Sequence, residues 1–137
     1  MPAASRKRNE VLLIACVTIL LCRSVEGPFD GTIRNHRFRG LDSPLSGYQV
    51  NVERLMRDLI MNTGRHSFSY YASYGEGNDR VYGHAGCMNR MLSIQECSDC
   101  VRVAHMHRVQ LGPFVRGAQM TLRDCELRFE DYYFFDG

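Results

Sequence analysis

The stretch Cys87-Met88-Asn89-Arg90-Met91-Leu92-Ser93-Ile94-Gln95-Glu96-Cys97-Ser98-Asp99-Cys100 carries the reading of this chain. Ser93 to Glu96 forms a capping box, in which the serine hydroxyl and the glutamate carboxylate each take a backbone donor of a first helical turn. A helix therefore opens at Ser93, with Ile94, Cys97, Val101 and Ala104 as its inner stripe, and Gly112-Pro113 stops it. Cys97 and Cys100 lie about one turn apart on that helix, so a bond between them constrains almost nothing. With Cys87 and Cys125 they allow three connectivities. The informative one joins Cys87 to Cys97, tying a strand to the helix, and Cys100 to Cys125, tying the helix to a hairpin. Each such loop stabilises the fold by roughly 3 kcal/mol in the chain-entropy account.

The compartment follows from the other end of the chain. Arg6, Lys7 and Arg8 precede an apolar run from Val11 to Cys22, and Cys22 and Ser24 are small residues at a −3/−1 cleavage pair. This is the pattern of a secretory signal peptide over residues 1–24, with the mature chain beginning near Val25. The run is short of the ~20 residues of a membrane helix. A secreted chain keeps cysteines as disulfides, and the four that follow the signal form an even set. Without residues 1–24, the 17 basic and 15 acidic residues of the chain become 13 and 14, with no lysine left. The basic balance thus belongs to the signal, and no nucleic-acid partner is implied. Residues 25–137 read as one small domain.

Outward from the cysteines, residues 25–47 read as an extended arm with one edge strand. Tyr48, Val52, Leu55, Met56, Leu59 and Ile60 recur at helical spacing over 48–62, and Asn62-Thr63-Gly64 ends that helix through a left-handed glycine. His66 to Tyr74 and Arg80 to Cys87 read as strands around a Gly75–Asp79 turn. Ala118, Met120 and Leu122 alternate with polar residues, and the phase resets after Asp124-Cys125. A bulge inside one long strand would reset the phase; the preferred reading, a hairpin with a two-residue turn there, pairs Leu122 with Leu127 and Met120 with Phe129 on the core face, and Gln119 with Glu130 on the outer face.

Cys97, Cys100, His105 and His107 also raise a zinc site. They spread around one continuous helix, whereas zinc fingers draw ligand pairs from different elements, so no metal or cofactor is expected. His84, His105 and His107 read as scattered surface histidines. No Gly-x-Ser-x-Gly elbow is present, and no constellation suggests an enzyme. The clusters Tyr70-Tyr71 and Tyr132-Tyr133-Phe134-Phe135 read as core aromatics.

Val81-Tyr82-Gly83-His84-Ala85-Gly86-Cys87, Cys97-Ser98-Asp99-Cys100, and Gly117-Ala118-Gln119 through Asp124-Cys125 to Phe129-Glu130 together resemble the ginkbilobin-type domain, the secreted cysteine-rich "salt-stress/antifungal" domain of land plants. The resemblance covers about residues 45–135. It implies an α+β fold of two helices packed on a five-stranded antiparallel sheet, stabilised by disulfides. It implies a secreted, apoplastic defence protein, a lectin that binds a mannose-type cell-wall or fungal glycan. The alternative from the same family is an extracellular protein-interaction module, partner of a receptor-like ectodomain, without sugar binding. This chain departs from the pattern in the gap between its first two motif cysteines, which is one residue longer, and in lacking two outer cysteines. In mannose-binding members an Asn, an Arg and a Glu hold the sugar. Here Glu130 matches the Glu and Asn35 stands for the Asn. Gln119 replaces the Arg, and an amide cannot make the charged forked contact of a guanidinium.

Overall fold

The computed structural model describes residues 29–135; the expected signal peptide lies outside them. Strand β1 runs from Ile33 to Leu41, helix α1 from Gly47 to Asn62, β2 from Ser69 to Tyr74 and β3 from Val81 to Cys87. Helix α2 follows from Ile94 to Leu111, then β4 from Val115 to Leu122 and β5 from Cys125 to Glu130. The five strands form one antiparallel sheet in the order β1-β4-β5-β3-β2. Both helices pack on the same sheet, α1 over β2 and β3, α2 over β4 and β5. This is the α+β architecture that the resemblance implies.

The periodicities explain why these elements form. α1 buries Tyr48, Val52, Leu55, Met56 and Leu59 and starts at Ser46, whose hydroxyl accepts from the Gln49 amide. α2 begins with the complete capping box of Ser93 and Glu96. Its inner stripe is Cys97, Cys100, Val101, Ala104 and Arg108; Ile94 points out to solvent instead. α1 does not end on a left-handed glycine. The chain turns on past Thr63, and the left-handed residues are Ser67 and Phe68, just before β2. Gly64 is required for another reason: a Cβ there would come 2.8 Å from the Ile94 carbonyl at the start of α2.

Two disulfides lock helix to sheet. Cys87–Cys97 joins the end of β3 to α2, and Cys100–Cys125 joins α2 to the start of β5. The β4–β5 hairpin is present, but its register is two residues from the expected one. Met120 faces Leu127, Ala118 faces Phe129, and Gln119 faces Arg128. A two-residue slip keeps every side chain on its expected face. The wider turn is held from outside: the amides of Arg123 and Asp124 donate to the carbonyls of Thr32 and Asp30. It also leaves Cys125 as the first residue of β5, directly across from Cys87.

The core lies between helices and sheet, with Val81, Ala85, Ala118, Met120, Leu122, Leu127 and Phe129 from the strands. The opposite face of the sheet is crossed by the C-terminal residues. Phe135 stacks on Tyr71 with ring centres 5.2 Å apart, Tyr133 meets Tyr82 edge-on, and the Arg128 guanidinium sits 4.0 Å over the Phe134 ring. Phe134 is buried, but Tyr132, Tyr133 and Phe135 are exposed, so this cluster is a cover on the outer face and not core.

Candidate functional site

The outer face is laid out in rungs. One rung holds Asn35, Thr121 and Glu126; the next holds Arg37, Gln119, Arg128 and His84; the third holds Arg39, Gly117, Glu130 and Tyr82. Asn35, Gln119 and Glu130 thus occupy three successive rungs. Gln119 and Glu130 are not opposite one another. They are one rung apart, and Asn35 is two rungs from Glu130, about 13 Å at the rise of a strand.

Glu130 differs most from expectation. Its residue type and its side of the sheet suggest an exposed carboxylate, yet it has 0% of its surface exposed. It folds over Gly117, where a Cβ would stand 2.2 Å from Glu130 Oε1. Arg37 donates to Oε2 at 2.6 Å and Arg128 donates to the same oxygen at 2.9 Å. Arg39 reaches Oε1 at 3.4 Å and also pairs with Asp131. Arg116 donates to the other oxygen of Asp131 at 2.9 Å. A buried carboxylate requires this kind of enclosure, since an unpaired buried charge is costly. Burial works against the charge of Asp131, but hydrogen bonds from Arg116 and Arg39 outweigh it and hold its carboxyl below the usual range. The same two carboxylates keep Arg39 firmly protonated despite its partial burial.

Sequence reasoning missed the arginines. Arg37 and Arg39 alternate along an edge strand and must therefore share a face; that signal was available. Their meeting with Glu130, more than 90 residues away in the chain, was not. Gln119 lies between Arg37 and Arg128 on its rung. The guanidinium that it lacks is thus supplied from both neighbouring strands, and both of these cations are already bound to Glu130.

His84 and His105 are not surface histidines. His84 is buried, stacks on Tyr71 at 4.1 Å and shares a 2.9 Å hydrogen bond between its Nε2 and the Ser69 hydroxyl. His105 is pushed down to about 4 by burial and then by the adjacent Arg108 guanidinium. Arg108 itself is buried, donates to the Pro113 carbonyl and lies over the Phe129 ring.

Residues 35–132 match the model of the salt stress response/antifungal family, and the chain belongs to that family. It is 27% identical over 93 residues to plasmodesmata-located protein 7 of Arabidopsis thaliana, covering 67% of this chain and 31% of that protein. It is 25% identical over 127 residues to cysteine-rich receptor-like protein kinase 22 of the same plant, covering 93% of this chain and 17% of the kinase. Its fold matches the tandem DUF26 ectodomains of the Arabidopsis cysteine-rich receptor-like proteins PDLP8 and PDLP5. TM-scores are 0.69 and 0.68 at 18% and 20% identity, covering 75% of this chain and 50% and 51% of those chains. The chain therefore spans about half or less of the length of the relatives it matches. No helix among the described residues is long and apolar enough to cross a membrane.

Proposed function

We propose that this domain is an extracellular recognition module whose partner is a protein, and that it does not take up mannose-type glycans. The observation that carries this reading is the enclosure of Glu130. A carboxylate that binds a sugar must offer lone pairs to hydroxyl groups. Here Oε2 accepts from two arginines, Oε1 faces a third, and no surface of the residue meets solvent. For Asn35, Gln119 and Glu130 to share a mannose, Arg37 and Arg39 would have to leave the buried carboxylate to Arg128 alone, and giving up partners of a buried charge costs several kcal/mol.

The likeness to receptor-like ectodomains supports a protein partner. So does the surface at the end of β1. Leu41 and Leu45 are each 92% exposed, and Phe114, also exposed, is tied by its carbonyl to the amide of Asp42, the residue that follows Leu41. Apolar side chains grouped this way on an extracellular domain mark a contact surface. A glycan array and a calorimetric titration with mannose, set beside a pull-down with tandem ectodomains of the receptor-like relatives, test the reading. A flat array with retained capture is expected. Mannose binding by the wild-type protein that is lost in Glu130→Gln would replace it with the sugar-binding reading.

A further inference from the structure

Away from Glu130, the other end of the outer face holds a cleft of about 540 Å³ between β2, β3 and β5. Ser69, His84 and Glu126 all line it. They come from three neighbouring strands and meet above a glycine. Ser69 and Glu126 both face Gly86 across the ladder, and His84 lies two residues along on the same face of β3. A Cβ on Gly86 would be 3.4 Å from His84 Cε1 and 3.6 Å from Glu126 Oε1, so the glycine makes the space in which the three converge. The Ser69 hydroxyl is 2.9 Å from His84 Nε2, and His84 Nδ1 is 3.9 Å from Glu126 Oε1. Ser69 follows Ser67 and Phe68, two non-glycine residues held at φ 57° and 65°. Such strained backbone persists only where surrounding structure enforces it, and it concentrates at functional sites.

We propose that Ser69, His84 and Glu126 form a nucleophile–base–orienter relay that hydrolyses small carboxylic esters. The roles follow from the geometry. A serine hydroxyl within hydrogen-bond reach of an imidazole, itself turned toward a carboxylate, is the arrangement that activates a nucleophile, and the contacts are often looser before substrate binds. Ser69 Oγ bonds to the ester carbonyl carbon while His84 Nε2 takes its proton and the carbonyl electrons move onto oxygen. The carbon–alkoxy bond then breaks, and His84 returns the proton to the departing alcohol. Water attacks the acyl-serine by the same route, so ester and water give acid and alcohol. Glu126 is a positioning residue, which holds the imidazole and balances its transient charge. Arg90, on the rim of the cleft, is the cation available to the oxyanion. Phe68, Tyr71 and Phe135 wall the cleft with aromatic surface and select a flat, apolar acyl or alcohol group. The activity is separate from the protein-recognition reading and stands without it.

Intact-mass and peptide analysis of the full chain, disulfides formed, after reaction with a fluorophosphonate, together with p-nitrophenyl acetate hydrolysis, tests the relay. One adduct on the peptide bearing Ser69 is expected, with hydrolysis above buffer. Ser69→Ala, a change at an exposed residue, should abolish both, while Ser73→Ala on the same strand should leave both unchanged. His84→Gln should slow labelling by about 100-fold or more. Glu126→Gln should lower kcat about tenfold with KM unchanged, which a merely structural role would not produce. No adduct on wild-type Ser69, or equal labelling of a folded His84→Gln, overturns the proposal. Should His84→Gln fail to fold, an unchanged labelling rate in Glu126→Gln overturns it equally.

Discussion

Gly117 is the residue on which the arginine–carboxylate cluster rests. Its missing side chain is the space that the Glu130 carboxylate fills, with the Arg39 guanidinium 3.0 Å from the same point. Glu130 is pinned by three cations and cannot give way. Gly117→Ala should therefore destabilise the domain by about 1–3 kcal/mol, the usual range for overpacking a filled site; chemical denaturation of the two proteins measures it. Glu130→Gln removes the charge but keeps the volume. It leaves Arg37 and Arg128 without the Glu130 charge while Arg39 keeps Asp131, and Arg37 and Arg39 are about 40% exposed and able to turn to water. A loss of about 2 kcal/mol is expected, below that of a wholly buried pair, and a loss within error would mean that the cluster is held by other contacts.

His105 adds a pH dependence of known sign. Its folded value is about 4, below the ordinary 6.5, because burial and Arg108 disfavour the cation. The unfolded chain therefore binds the proton more readily. Stability from this group is complete above pH 6.5 and declines as pH falls from 6.5 toward 4. Glu53, whose carboxylate is 3.8 Å from His105 Nε2, is the nearby acid. Melting curves of the wild type and His105→Gln between pH 7 and 4.5 isolate the histidine: the wild type should lose more of its melting temperature than the variant over that interval.

At the scale of elements, α2 is fastened to the sheet at both of its first two turns. Cys97 holds the end of β3 and Cys100 holds the start of β5, and β3 and β5 are neighbours paired at Cys87 and Cys125. The two crosslinks thus converge on one point of the sheet and set how far along it the helix begins. Replacing Cys100 and Cys125 together with alanine should cost about 3 kcal/mol, from a loop of 25 residues. The outer end of α2, which reaches to Arg108 and Gly112, should keep its amide protection least in hydrogen exchange. Equal loss of protection along the whole helix would show that the bond does not act locally.

At the scale of the molecule, the sheet divides two kinds of surface. One face is spent on the core. The other carries the arginine cluster at the β1 side and the aromatic cleft at the β2 side, with residues 131–135 crossing it. The apolar group at Leu41, Leu45 and Phe114 lies at the end of the edge strand. Leu41→Asp with Leu45→Asp should weaken capture of a receptor-like ectodomain at least tenfold while leaving the melting temperature within error, since neither side chain is packed. Unchanged capture would move the contact elsewhere on the domain.

The sequence by itself determined the elements and, Ile94 aside, their inner faces. The capping box at Ser93, the apolar spacing of α1 and the alternation on either side of Asp124 are local patterns, and local hydrogen bonding and burial fix them over a few residues. The same alternation placed Glu130 on the outer face of the sheet. Only the tertiary structure decided what that face holds. The register of the hairpin depends on bonds from Asp30 and Thr32. The burial of Glu130 depends on Arg37 and Arg39, brought beside β4 by the last strand pairing of the sheet. The meeting of Ser69, His84 and Glu126 depends on three strands crossing at one glycine. Each of these contacts joins residues far apart in the chain, and no periodicity or spacing within a segment carries information about a partner that only the folded sheet brings within reach.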